Sequence, residues 1–157
     1  MTDPRKIGFR LQRDEDGYPP PGSEWLWAYP SEGMWVIDNI PWYSREVSLG
    51  DAVEAEEDEE GQLWFRKTGK PSGHSTLRVL VQDQDSSRTA ALRTRLEALG
   101  CSSEQWSAER PFLAVDVPPE VEIRAVVEVL DEGESQGAWG WETGLLGNGH
   151  RSRWPAS

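Results

Sequence analysis

The apolar pattern of the chain changes period at Thr76, and that change limits the fold more than any other feature. Before it, apolar and aromatic residues alternate over short stretches: Lys6 to Gln12, Glu24 to Tyr29, Met34 to Asn39, Ala52 to Glu56 and Leu63 to Lys67. Alternation with period two is the mark of a strand with one buried face. The connections are rich in turn formers. DEDGYPPPGS combines a turn with three prolines that fix φ and lack a donor, while SEG and EEDEEG are of hairpin length with Gly available for positive φ. Five short strands at this spacing predict a small β-barrel or curled sheet.

After Thr76 helical periods appear. Thr76 to Gln82 puts Leu77, Val79 and Val81 on one face of a strand. The following segment places Leu92, Leu96 and Leu99 at i, i+4 and i+7, with Ser86 or Ser87 available as cap and Gly100 where a left-handed C-cap is wanted. Strands follow at Ser103 to Ala108 and Phe112 to Val117. Pro118 and Pro119 then open a second helix striped by Ile123, Val126, Val127 and Leu130, and Ala138 to Thr143 is the last strand. Strand, helix, strand, strand, helix, strand is the order of a ferredoxin-like βαββαβ sandwich with both helices on one sheet face. The expected architecture is therefore α+β: an N-terminal β subdomain over 1–75 packed on a C-terminal ferredoxin-like subdomain over 76–146, sharing a core. The segment 147–157 is polar, contains Gly, and is expected to be disordered.

Charge excludes some functions. The 157 residues include 28 acidic and 16 basic side chains, a formal charge of −12. The excess is −7 up to Ser75, from 15 acidic and 8 basic residues, and −5 beyond it, from 13 and 8. A field of this sign repels phosphate backbones and anionic lipid, so neither nucleic acid nor membrane is an expected partner, and a basic protein is. Cys101 stands alone and there are only two His, so no disulfide, metal site or cofactor is expected and a reducing, cytoplasmic setting is. No run of about 18 apolar residues suggests a membrane span.

The blocks EWLWA, IDNIPWY, VSLGDAV, GQLWF, KPSGHSTLRV, LEALGC and LAVDVPP, in this order, resemble a bacterial domain family of unknown function. The resemblance covers most of Glu24 to Trp141 and implies a small bacterial protein. It implies no activity. Its polar motif positions fall on Glu24, Asn39, Pro41, Asp51, Ser72, Gly73, Ser75, Thr76 and Arg78, and Trp42 stands where the family commonly has another aromatic. The ending in WGWETG is similar to ferredoxin-like bacterial inhibitors such as the regulators of ribonuclease activity, an analogy of fold.

Two segments are dense in chemistry. In SGHSTLR, His74 between Ser72 and Ser75 has the composition of a general base beside a nucleophile, or of a clamp for a ligand carboxylate with Arg78 on the same strand. The same residues also suit a Gly73 turn with its hydroxyls on local backbone. In IDNIPWY, Asp38 and Asn39 sit at a strand end before Pro41, where they could hold a ligand or form an Asx turn, and Trp42 and Tyr43 could stack on a ligand or anchor a partner. Glu24, ahead of the WLWA strand, is either a pocket acid or a strand-start charge. The seven acidic residues between Asp51 and Glu60 lack the alternating ligand spacing of a calcium loop and read as a solvated hairpin tip or a docking surface for a basic protein. Nine Trp, most of them on predicted strands, are expected to fill the core between two sheets. Trp25 and Trp27 share one strand face and leave Leu26 opposite.

Size, charge, surplus aromatics and the lack of a strong catalytic motif favour an acidic binding protein, an inhibitor or immunity-type partner of a basic protein. The alternative is a small enzyme or ligand-binding protein with a pocket between the subdomains. In that case His74, Ser75 and Glu24 are the catalytic candidates, with Asp38, Asn39, Tyr43 and Arg78 as ligand-binding residues. Convergence of these side chains on one concave pocket separates the two.

Overall fold

A computed structural model describes residues 3–155. Strands β1 (Arg5–Arg10), β2 (Ser23–Ser31), β3 (Met34–Ile37), β4 (Ala52–Glu57) and β5 (Leu63–Lys70) follow one another as an antiparallel meander. With an odd number of strands the first and last run the same way, and β1 pairs parallel with β5 at Ile7↔Leu63 and Gly8↔Trp64 to close a barrel. The β2–β3 turn places both Glu32 (φ +52°) and Gly33 (φ +82°) in the left-handed region, the primed hairpin geometry that matches strand twist. Ile7, Phe9, Leu26, Ala28, Ile37, Val53 and Leu63 fill the interior, and Val47 plugs it from the β3–β4 connection.

The tryptophans depart from expectation. Leu26 and Ala28 take the inward positions of β2, so Trp25 and Trp27 point outward and Trp27 remains 44% exposed. A five-stranded barrel has room inside for medium side chains only. The outer rings are instead covered by neighbours: Trp25 meets Trp64 edge-on at 4.8 Å, Lys6 Nζ lies 5.3 Å from the Trp27 ring, and the Arg10 guanidinium lies 4.0 Å from Trp64. Trp25 also lies across Gly8, where a Cβ would stand 2.7 Å from the indole.

The second half contains β6 (Ser75–Val81), α1 (Ser86–Ala98), β7 (Ser102–Gln105), β8 (Phe112–Val117), α2 (Ile123–Ser135), β9 (Trp139–Thr143) and α3 (Asn148–Ser152). The sheet has the order β7-β8-β6-β9, antiparallel throughout. The chain is thus α+β. Its α1 is capped by Asp85, whose carboxylate accepts from Arg88 N–H, while Ser87 Oγ supports that carboxylate at 2.8 Å. The expected caps Ser86 and Ser87 lie inside the helix. At the other end Gly100 (φ +98°) donates to Glu97 O and Cys101 donates to Leu96 O, the paired bonds of a Schellman ending. Trp139 is the one buried tryptophan among the described residues; its ring lies on Gly133 of α2 and its Nε1 donates to Leu130 O at 2.9 Å.

Leu77, Val79, Val81, Leu113 and Val115 face α1 and α2 and form a core distinct from that of the barrel. Where a shared core was expected, the two buried clusters are separate, and the units meet through polar contacts and through the Trp42 and Tyr43 rings on Trp106 and Phe112. The segment 147–157, expected to be disordered, instead carries α3: His150 is wholly buried and Trp154 packs on the core of the sheet unit. One imidazole and one indole anchor an otherwise polar segment. Residues 156 and 157 lie outside the described residues. Among the described residues no helix is long and apolar enough to cross a membrane.

Candidate functional site

The helix-free face of the sheet is half covered. Over Thr76 and Arg78 lies the β3–β4 connection, residues 38–51, and two buried charges hold it down. Glu24, 7% exposed at the start of β2, accepts from three successive backbone donors: Trp42 N–H at 2.5 Å, Tyr43 N–H at 3.1 Å and Ser44 N–H at 2.9 Å. Arg78, 1% exposed on β6, takes the acceptors of the same turn through Nη2, Ser44 O at 2.6 Å and Pro41 O at 3.4 Å. A carboxylate on the N–H side and a guanidinium on the C=O side thus hold the turn from both sides. Burial pulls the Arg78 pKa down, and the Glu24 and Glu142 carboxylates oppose that shift. Gly144 lies flat against the guanidinium, where a Cβ would stand 3.1 Å from Cζ and both Nη atoms.

A second cluster joins barrel to sheet at the other end. Asp51, fully buried, accepts from Ser48 N–H at 3.0 Å and Ser72 N–H at 2.8 Å, and Ser72 Oγ donates to Leu49 O. His74 Nδ1 donates to both oxygens of Asp116 at 2.9 Å. Burial raises the Asp116 pKa and His74 counters it. Gly147 N–H donates to Ser75 Oγ at 2.8 Å, and that hydroxyl lies 2.6 Å from His150 Nδ1. The hydroxyl can accept a second bond or donate its own proton, so the contact suits either tautomer of a neutral imidazole. Burial lowers the His150 pKa in keeping with that state. Ser75 and His150 are a serine–histidine pair in composition, but both are wholly buried, so the pair fastens α3 and meets no substrate.

Beyond Arg78 the covering segment ends and the sheet is open. Leu80, at the centre of this face, is 52% exposed, and its cross-strand neighbours are Phe112 on β8 and Gly140 on β9. These three floor a groove of about 650 Å³ lined also by the buried Arg78 and by Tyr43, Trp106, Tyr18 and Pro20. The aromatic rings are continuous: Tyr18–Tyr43, Tyr43–Trp106 and Tyr43–Phe112 centroids are each 6.0 Å apart, and Trp42 supports them at 5.1 Å from Trp106 and 5.3 Å from Phe112. Glu142 on the wall is engaged by Tyr18 OH at 3.0 Å and by Arg45 at 3.2 Å. Burial first and Glu142 second push the Tyr18 phenol up to about 12, so it remains a donor at neutral pH.

The predicted site residues therefore divide among several places. Glu24, Tyr43 and Arg78 meet at the turn 41–44, and Tyr43 and Arg78 face the groove. Asn39 accepts from Trp27 N–H at 2.7 Å and fixes the exit of β3, while the exposed Asp38 uses its backbone N–H on Trp27 O. His74 and Ser75 stand at the far end of the seam. Leu80, Trp106, Phe112, Tyr18 and Gly140 were not singled out. The available signal was Leu80 beside Arg78 on the strand face opposite Leu77, Val79 and Val81, an apolar residue in the polar phase.

Within the acidic run Glu54, Glu56 and Glu57 pair with Lys67, Arg66 and Arg5, and Asp58 builds the hairpin turn through Glu60 and Gln62 N–H. Glu59 and Glu60 carry the exposed tip.

Comparison with known proteins gives a family and a fold. No curated protein matches the chain. A solved structure of a hypothetical protein from Neisseria gonorrhoeae superposes with a TM-score of 0.73 at 21% identity, over 91% of this chain and 96% of that one. It is similar in fold. The Domain of unknown function (DUF4265) matches residues 24–141, the span marked by the seven sequence blocks. Since that match runs through both the barrel and the sheet, the chain belongs to the family described as Domain of unknown function (DUF4265).

Proposed function

We propose that the protein is a binding protein whose working site is the groove between the covering segment of the barrel and the open half of the sheet. The observation that carries this reading is Leu80, half exposed on the floor of an aromatic-walled groove of about 650 Å³. That volume lies within the range of small-molecule pockets, and apolar floors of this kind gain about 25 cal/mol per Å² when covered. The order β7-β8-β6-β9, with α1 and α2 on one face, supports a ferredoxin-like reading in which the other face is free to bind. Chemistry is less well supported. Glu24 is committed to backbone donors, Ser75 is buried with His150, and His74 is oriented by Asp116 away from the groove lining. Free, buried Cys101 supports work in the reducing cytoplasm.

The test fills the groove. At Gly140 an added Cβ meets no atom within 4 Å, so Gly140→Val occupies the floor without displacing the fold. Nile red, a neutral apolar dye, should bind the wild type saturably and the variant about tenfold or more weakly, at an unchanged urea midpoint. Equal binding by both proteins overturns the reading.

The net charge of −12 supports a second reading, capture of a basic protein. Because three carboxylates of the acidic hairpin already have cationic partners, this reading rests on the whole surface. Reversal of Glu59 and Glu60 to Lys should slow association with lysozyme by severalfold at low salt, and unchanged kinetics would remove the hairpin tip from the mechanism.

A further inference from the structure

We propose that the groove selects a small-molecule carboxylate with an aromatic or similarly flat apolar body, its anionic end held by Arg78. The inference rests on the groove being the working site and adds what the ligand must carry. Arg78 is the reason. A guanidinium has five N–H donors and does not lose its charge. Here, among the described residues, only Nη2 is engaged, by two carbonyls; Nη1 makes no hydrogen bond and is the donor left for a ligand, while Nε, closed to solvent, has no partner either. No ion pair compensates it: among the described residues no carboxylate comes within 4.0 Å. A buried cation with idle donors is costly to keep unless something arrives to use them.

The surroundings favour an anion at this end of the groove in spite of the overall charge. Glu142, the acid nearest on the wall, already bonds Tyr18 OH and Arg45. Glu24 lies beneath the turn with its oxygens on three N–H groups. Arg110 stands at the rim, and among the described residues its guanidinium forms no hydrogen bond or ion pair, so it adds a second positive group; the exposed acids Asp83 and Glu109 also line the groove. The flat body is read from the walls. Tyr43, Trp106 and Phe112 offer ring faces and edges at stacking distances, and Gly140 leaves the opposite side low.

The experiment compares 2-naphthylacetate with its neutral amide, 2-naphthylacetamide, by calorimetric titration of the wild-type protein, and follows the Arg78 Nε–H resonance by NMR. Using a ligand pair avoids dependence on Arg78 variants, which disturb the covering turn. The carboxylate should bind about tenfold or more tightly than the amide, as charged hydrogen bonds outweigh neutral ones, and should shift the Arg78 Nε–H signal where the amide does not. Gly140→Val should weaken both ligands. Equal affinity of acid and amide overturns the carboxylate assignment and leaves the groove standing. Failure of both ligands to bind overturns the groove reading as well. A preference for the acid that disappears in Arg110→Gln, with the Arg78 signal unmoved, places the anion at the rim and also overturns the assignment.

Discussion

Replacement of Glu24 by Gln tests whether the two buried charges act as one device. In the native protein the three N–H groups of residues 42–44 share two carboxylate oxygens, with Oε1 taking Tyr43 and Ser44 and Oε2 taking Trp42. An amide keeps one acceptor. Its NH2 then faces a backbone donor, so one charge-assisted bond is lost and one buried N–H is left unsatisfied, each worth roughly 1–3 kcal/mol. Arg78 also loses one of the two carboxylates whose field opposes its burial, a longer-range effect that adds to these two. Glu24→Gln should therefore lower the unfolding free energy by about 3–5 kcal/mol, read from the urea midpoint at unchanged slope with tryptophan fluorescence as probe. Arg78→Gln should cost a similar amount by freeing Ser44 O and Pro41 O. Since both act on one turn, the double variant should cost less than the two single ones together by about 1–3 kcal/mol. Additivity to within about 0.5 kcal/mol, or a single-variant cost below about 1 kcal/mol, would refute the mechanism.

Gly144→Ala should destabilise by about 1–3 kcal/mol, because its Cβ would stand 3.1 Å from three guanidinium atoms that packing holds in place; thermal unfolding reads it, and a neutral result means that Arg78 can move aside. Asp85→Ala should cost about 1 kcal/mol as the lost cap of α1, whereas Ser86→Ala should stay within about 0.5 kcal/mol. Burial holds the His150 pKa below its ordinary 6.5, with Arg153 adding to the shift. The unfolded chain thus takes up that proton first, and the stability carried by neutral His150, complete above about 6.5, declines as pH falls toward and through the folded value. Asp116, raised by burial, loses its contribution in the opposite direction as pH rises through its folded value. The difference between wild type and His150→Phe isolates the histidine: urea midpoints from pH 8 to 5.5 should fall more steeply in the wild type, and parallel curves would count against a buried neutral imidazole.

The elements were legible where the information is local. Strand β8 has the bounds Phe112–Val117 read from its alternation, and of the stripe Leu92, Leu96 and Leu99 the first two are buried in α1 while Leu99 packs partly buried at its C-cap. The Gly100 ending and the Gly33 turn follow from φ alone. Roles were less legible because each depends on a partner far along the chain. Glu24 finds its donors 18 to 20 residues away, and Ser75 meets His150 at a separation of 75. A carboxylate before a strand looks the same whether it awaits a substrate or a loop. The tail misled for a related reason: its composition is that of a disordered segment, and the cavity that receives His150 is built by residues the tail does not contain. Trp25 and Trp27 were placed on the correct strand but on the wrong side, since alternation states which residues share a face and not which face is inside.

The polar seam and the apolar groove make sense together. Buried polar networks hold one arrangement when every member is satisfied, whereas an apolar interface of the same size tolerates sliding. The turn 41–44 carries Trp42 and Tyr43, the aromatic side of the groove, and the grip of Glu24 and Arg78 on five of its backbone atoms fixes their rings relative to Leu80 and Phe112 on a different unit. Had the two units merged into one apolar core, the covering segment would extend over Leu80 at a gain in buried area and the groove would close. The segment instead stops at Arg78, where Ser44 O and Pro41 O consume Nη2 and leave Nε idle. The residue that ends the cover is thus also the one that lines the groove, and Arg78 belongs to both the seam and the groove.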